Sequence, residues 1–412
     1  MGIVRTDELK EDMLLAEDVR DIQGRLLLAK HQKIKSKHIR ILKIWGITEV
    51  NVAGNVAGEE GAECLVDPEL IEKVKENTKY TFSHVDLDHP AVKELFRLSI
   101  LYRSKHECLE TKRNMILNEC DDSTNHSGLD IRKGIIEKEI KLPEIPSIVF
   151  ELNEIVANPL SSSDDIAQVV SKSPSLVAFL LRIVNSAFYG FPSKIESISR
   201  AVTIIGTREI SSLALGISTI TIFEGIPKGI LDMDSFLRHS LACGIISRLL
   251  AAQKNMPQTE QLFVSGLLHD IGRLIVYKYF PEKAKILLSR SMESDTLLFQ
   301  EESTYLGCKH TDIGKYLLQE WKLPFALENN IFYHHNPSTA VNPIPAAIVH
   351  LADIIVNGLG MGSSGERFVP PLDYEAWNSL GLSPSSFEAI IGQATHQLFG
   401  LETVLQRQEK YE

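Results

Sequence analysis

The chain has 412 residues, more than one hydrophobic core normally serves, so two or three domains are expected. Hydrophobic residues at 44% and charged residues at 24% are the balance of a globular protein and exclude a collagenous, coiled-coil or largely disordered chain. A net charge of -11 with no dense Lys/Arg block argues against attraction to a polyphosphate backbone or an anionic bilayer, so neither nucleic acid nor a membrane is expected as a partner.

The first ten residues carry charges and no apolar run, and the apolar stretch at 346–356 is broken by His350 and Asp353. Export and membrane insertion are therefore not expected, and the cytoplasm is the expected location. The five cysteines (Cys64, Cys108, Cys120, Cys243 and Cys308) are widely spaced with no CxxC pair. That pattern suits reduced thiols rather than a disulfide framework or a structural zinc site.

In chain order, residues 14–19 and 26–28 read as strands joined by the turn residues Asp21, Ile22, Gln23 and Gly24. Ser36 is placed to cap a helix through Ile44 that carries apolar Ile39, Ile41, Leu42 and Ile44, and Gly46 ends it before a strand at 47–52. Residues 1–54 are thus expected to form a small α+β domain. A Gly/Ala/Glu-rich linker at 53–63 follows, then helical patterns at 68–80 and 90–119 that suggest a connector or dimerisation element. The polar run 121–130 closes this second region, residues 55–130.

Residues 131–412 read as helices throughout. Between 142 and 223 the apolar period is 3.6, Ser162 and Asp165 have capping-box spacing, and Pro174, Gly190 and Pro192 punctuate the helices. A multi-helix bundle without a sheet follows, closed by a helix after Pro384. Gly358, Gly360 and Gly362 come after a helix rather than a strand, so they read as a flexible surface loop and not as a nucleotide fingerprint. There is no Gly-x-Ser-x-Gly elbow, and Cys308, two residues before His310, reads as a packed thiol.

Six of the thirteen histidines fall between His239 and His350. Helical patterns at 236–250, 262–276, 311–321, 325–333 and 346–356 carry His239, the pair His269 and Asp270, His310, the pair His334 and His335, and Asp353, on or at the end of each. Imidazole and carboxylate donors together suit Fe, Mn, Co, Ni or Zn, and a carboxylate can bridge two ions where a neutral imidazole cannot. Spacing alone does not say which of these residues share a site.

Three stretches carry a resemblance: Leu142, Pro143, Glu144, Ile145 and Pro146; residues 181–190, with Asn185, Ser186, Ala187, Phe188, Tyr189 and Gly190; and residues 267–273, with His269, Asp270, Gly272 and Arg273. From about residue 139 to the C-terminus the chain resembles the HDOD family, an output module related to the HD phosphohydrolases. Residues 21–28, with Trp45, Gly46 and Ile47, resemble the small domain that precedes some HD-GYP cyclic-dinucleotide phosphodiesterases.

The resemblance implies a mainly α, HD-like helical bundle behind the α+β unit, with its HD-like part at about 228–360. It implies a first metal site of His239, His269, Asp270 and Asp353. A second site would be completed by His310, His334 and His335, with Asp270 shared. Many HDOD members lack these positions; all are present here. If hydrolysis is retained, Asp270 and Arg273 are the expected catalytic residues. Arg273 stands where the phosphodiesterases commonly have lysine, and its fork suits phosphate oxygens; the plainer expectation is a surface or helix-end cation.

After His334 and His335 the chain continues Asn336, Pro337, Ser338, Thr339 and Ala340, where HD-GYP enzymes carry an acidic residue and a Gly-Tyr-Pro turn. A regulatory output is therefore expected, acting on a signalling protein partner or a nucleotide-type ligand, with a homodimer as the candidate assembly. The alternative is a metal-dependent phosphohydrolase acting on a nucleotide-type substrate. Asn185 is expected to satisfy backbone groups where helices meet, with Phe188 and Tyr189 filling the core; a ligand groove of Asn185 and Arg182 is the alternative. His350 is expected in the core or behind a ligand.

Overall fold

The computed structural model describes residues 2–6, 9–20, 26–44, 47, 49–53, 68–106 and 147–405, apart from single positions at 159, 192, 224, 225, 227, 228 and 258. The turn at 21–24, Trp45, Gly46, most of the 53–63 linker, the 121–130 boundary and the 142–146 motif lie outside the described residues, as do Cys64, Cys108 and Cys120.

The N-terminal unit contains β1 (Gly2–Arg5), β2 (Leu14–Leu15), β3 (Val19–Arg20), β4 (Leu26–Leu28), α1 (Ser36–Ile44) and β5 (Glu49–Ala53). β5 is the central strand of an antiparallel sheet ordered β1-β5-β2, while β3 and β4 form a separate ribbon. The stretch 14–19, expected as one strand, is divided between these sheets. β1 has no signature in the sequence, because a four-residue strand is too short to show alternation. Leu15, Ile34, Leu42, Val50 and Val52 form a small core of its own. Ser36 opens α1, but its hydroxyl and amide both donate to the Glu11 carboxylate, which ties the helix start to the β1–β2 connection.

The remaining described elements are helices. α2 (Pro68–Thr81) and α3 (Pro90–His106) come first; Phe82, just past α2, joins Val92, Leu95 and Leu98 of α3 in the large core. Arg103 donates to the carbonyls of Gly358 (3.0 Å) and Asn357 (3.0 Å), fastening α3 to a later helix end. Then come α4 (Ser147–Ala157), α5 (Ser163–Ser171), α6 (Pro174–Asn185), α7 (Ile198–Ile205) and α8 (Thr207–Ile220). The capping box at α5 forms as expected: the Asp165 amide donates to Ser162 Oγ (3.2 Å) and the Ser162 amide to Asp165 Oδ2 (2.8 Å).

Asn185 also does what its position suggests. Its amide nitrogen donates to Leu181 O and Ile195 O, and its oxygen accepts from Ile195 N, each at 2.7 Å. The side chain thus joins the end of α6 to the approach to α7. Phe188 is buried, with the Arg248 guanidinium 4.4 Å above its ring.

Next come α9 (Met233–Gln253), α10 (Thr259–Leu268), α11 (Ile271–Tyr279), α12 (Pro281–Glu293), α13 (Leu298–Leu306), α14 (His310–Glu320), α15 (Phe325–Tyr333) and α16 (Pro343–Leu359). α17 (Tyr374–Leu380) and α18 (Ser386–Leu405) end the described chain, the latter being the helix expected after Pro384. The single apolar pattern at 262–276 is two helices, broken at His269 and Asp270. Among the described residues no helix is long and apolar enough to cross a membrane.

The reading of Gly358, Gly360 and Gly362 as a surface loop is corrected. α16 runs through Leu359, Met361 is fully buried, and Gly360 (φ 72°) and Gly362 (φ 79°) turn the chain against α9. A Cβ at Gly362 would lie 2.3 Å from Ser235 O and 2.5 Å from His239 N. Apolar flanks and positive-φ glycines make this a packed helix end, where a glycine count suggested mobility.

Candidate metal centre

Each expected ligand is delivered by a helix or a helix end. His239 is on α9 and Asp353 on α16, while His269 and Asp270 occupy the break between α10 and α11. His310 is the first residue of α14, and His334 and His335 immediately follow α15. Helix ends concentrate on these positions because a chain leaving its helix can aim adjacent side chains at one point, which helical periodicity forbids.

Four donor atoms form a first set. His239 Nε2 is 3.3 Å from His269 Nε2, 3.4 Å from Asp353 Oδ1 and 3.8 Å from Asp270 Oδ2. His269 Nε2 is 3.4 Å from Asp353 Oδ1 and 3.3 Å from Asp270 Oδ2. Bonds of about 2.1 Å to one ion would put tetrahedral donors about 3.4 Å apart and octahedral neighbours about 3.0 Å apart. The separations fit one ion.

The other oxygen of Asp270 faces the second set: Oδ1 is 3.0 Å from His310 Nε2, which is 3.4 Å from His334 Nε2. His335 joins them, all three residues offering donors within 4.8 Å of one another. Asp270 therefore lies between the two sets with one oxygen toward each. All seven expected ligands are brought together.

The orientation of the rings favours coordination. His269 Nδ1 bonds Gly266 O (2.8 Å) and His334 Nδ1 bonds Ile331 O (2.7 Å), while His310 Nδ1 bonds the Glu302 carboxylate (2.6 Å). A neutral imidazole that donates through Nδ1 presents its lone pair at Nε2, the atom facing the cavity in each case. Asp270 Oδ1 and both nitrogens of His335 are buried without a hydrogen-bond partner. Unpaired buried groups of this kind are costly unless something not protein in origin meets them. The residues present fit a divalent cation.

The electrostatics agree. Burial works against ionising Asp270, but Arg273, His269 and His310 hold it well below the usual carboxylate range. Burial likewise opposes the charge on His269, yet Asp270 and Asp353 push it up to about 10. The carboxylate pair thus draws positive charge into the centre. A coordinated cation meets that demand and leaves the imidazole neutral. His334 and His335 are held low by burial and by the neighbouring histidines.

Around the ligands runs a buried ionic strap that the sequence reading did not anticipate. Arg273 donates to Asp270 Oδ2 (3.0 Å), Glu302 Oε1 (3.1 Å) and Ser364 Oγ (2.6 Å), and lies 3.8 Å from Glu366. It is 2% exposed, so the surface-cation expectation is corrected: three buried carboxylates require its charge inside. Glu302 also accepts from His310 N (2.8 Å), linking Arg273 to both ligand sets. No spacing rule picks out Glu302, Ser364 or Glu366, which come from a separate helix and a loop. His350 lies behind a ligand as expected, its Nδ1 bonding His334 O (2.7 Å) and its Nε2 accepting from Asp373 N (3.0 Å). Cys243, also unanticipated, places Sγ 3.7 Å from His239 Nε2; one helical turn from His239, it had a visible signal in its spacing. Cys308 is buried and packed, as expected.

Residues 142–337 match the HDOD domain family model, so Asp353 and the helices that follow lie beyond the match, which is shorter than the expected span to the C-terminus. An uncharacterised protein of Treponema pallidum (strain Nichols) is 26% identical over 196 residues, 47% of this chain and 38% of that relative, so the chain spans well under half of its length. Three solved structures share the fold. An HDOD domain protein of Geobacter sulfurreducens has a TM-score of 0.52 at 20% identity, over 68% of this chain and 93% of that one. A presumed phosphohydrolase of Shewanella amazonensis SB2B has 0.53 at 22%, over 65% and 98%. A presumed signal transduction protein of Marinobacter aquaeolei VT8 has 0.54 at 19%, over 78% and 67%. The chain carries an HDOD domain, at residues 142–337.

Proposed function

We propose that this chain is a bacterial signal-transduction output protein whose HD-like half holds one or two divalent transition metal ions as part of a regulatory scaffold, acting through contacts with a signalling protein or a nucleotide-type ligand. The observation that carries the reading is the convergence of seven ligand side chains around Asp270 in a closed interior. Six of them are buried, and only His335 reaches partly to solvent while keeping both ring nitrogens covered. A centre so enclosed is suited to fixing five helix segments relative to one another. The residues after His335 add to this: Pro337–Thr339 form a short 3-10 turn, tied by Ser338 N to Asp373 Oδ2 (3.0 Å), in place of a Gly-Tyr-Pro turn. On this reading a homodimer is the candidate assembly.

The second reading, a phosphohydrolase acting on a nucleotide-type substrate, is favoured by the two-sided placement of Asp270. A metal pair would supply a water of lowered pKa and neutralise charge on a phosphoryl group. Asp270 would hold that pair together, and Arg273 would position Asp270 rather than touch substrate. Metal analysis of protein purified without chelator, with turnover assays on cyclic dinucleotides and simple phosphodiesters, separates the readings. Bound metal without turnover is expected. Robust hydrolysis that Asp270→Ala abolishes would establish the second reading instead, and metal-free protein whose melting temperature ignores added Mn or Fe would remove both.

A further inference from the structure

The first set of donors includes one more atom than the family resemblance implies. Cys243 lies four residues after His239 on α9, and residues so spaced share a helix face. Its side chain is fully buried. Its Sγ is 3.7 Å from His239 Nε2, and Sγ, the His239 and His269 nitrogens and an Asp353 oxygen all lie within 4.8 Å of one another.

The position is enforced by backbone. At the crossing of α9 and α10, a Cβ at Gly266 would be 2.5 Å from Cys243 O, and one at Gly244 would be 2.8 Å from Phe263 O. Two glycines let the helices meet so closely that the thiol sits against the His269 turn, whose Nδ1 is fixed by the Gly266 carbonyl. Asp270 borders the same space through Oδ2, 3.8 Å from His239 Nε2 and 3.3 Å from His269 Nε2, and the buried Nδ1 of His239 has no hydrogen-bond partner.

Coordination geometry separates a ligand from a bystander. Bonds of about 2.3 Å to sulfur and about 2.1 Å to nitrogen give a tetrahedral S···N separation of about 3.6 Å. The observed 3.7 Å matches that edge, as 3.3 and 3.4 Å match those among His239, His269 and Asp353. We propose that Cys243 is a thiolate ligand of the first metal position, joining His239, His269 and Asp353 beside the shared Asp270 in a set that selects a thiophilic ion such as Zn, Co or Fe over Mn or Mg. The thiol proton passes to solvent as the ion binds. The inference rests on the metal centre of the preceding section.

Cobalt(II) alone, added to chelator-treated protein, tests it by absorption. The expected result is a near-ultraviolet thiolate-to-cobalt band in the native chain that is absent from Cys243→Ser, with cobalt still bound. Cadmium affinity should fall by about tenfold or more in that variant while manganese affinity holds. Cobalt bound without the band, or a band that survives in Cys243→Ser, overturns the thiolate and leaves the metal centre standing. Failure of the native chain to bind cobalt overturns both. Cys243→Ala, with helical circular dichroism, guards against a folding defect in the serine variant, and the native spectrum needs no variant at all.

Discussion

Gly272 is the most sensitive point at which the fold and the metal centre meet. It stands two residues after Asp270, where α11 crosses α14 backbone to backbone. A Cβ there would be 1.9 Å from His310 O, 2.8 Å from His310 C and 2.9 Å from Gly314 N. Backbone atoms cannot rotate aside, so Gly272→Ala must push the start of α14 away by at least about 1 Å to restore van der Waals contact. Judged as a helix residue alone, alanine would stabilise by up to ~1 kcal/mol. Overpacking against main chain costs about 3 kcal/mol, so a net loss of about 2 kcal/mol is expected. The same displacement carries His310 away from Asp270, whose 3.0 Å approach leaves no slack for coordination within ±0.2 Å. The assay is urea unfolding in chelator, followed by metal titration of the folded variant. Gly314→Ala is the control: its Cβ meets the Ile331 side chain at 3.3 Å, which can shift. A Gly272→Ala protein at least as stable as the parent, with both ions bound, would refute the close crossing.

Two other perturbations follow. Glu302→Gln weakens the carboxylate hold on His310 Nδ1, and calorimetric titration should show the second ion bound about 10- to 100-fold more weakly with the first unchanged; equal loss of both would contradict the division of ligands. Glu366 is pushed by burial from 4.5 up to about 7, so the folded state holds a proton that the unfolded state releases. Its contribution is fully present below pH 4.5 and lost as pH rises through 7, amounting to roughly 3 kcal/mol. Chemical denaturation across pH 4.5–7.5 should show that slope in the native chain and less of it in Glu366→Gln; identical profiles would refute it.

The parts of the centre legible before folding were those that repeat a known pattern. His239, His269, Asp270, His310, His334, His335 and Asp353 could be assigned only through the resemblance, because they are spread over more than a hundred residues and no helical period links them. The capping box at Ser162 and the role of Asn185 were legible for a different reason: their partners lie within ten residues. Glu302 was not, since its partners come from two other elements.

Local rules, then, sufficed to set the helical class of the C-terminal region, the capping box at Ser162 and the bounds of some helices, such as Phe325–Tyr333, since each depends on neighbours in the chain. The break at His269 and Asp270, the burial of Arg273 among three carboxylates and the packing of Gly362 against α9 depend on what arrives from elsewhere. Tertiary structure decided those, because a buried charge or a backbone contact is defined by its surroundings, and here the surroundings come from helices distant in sequence.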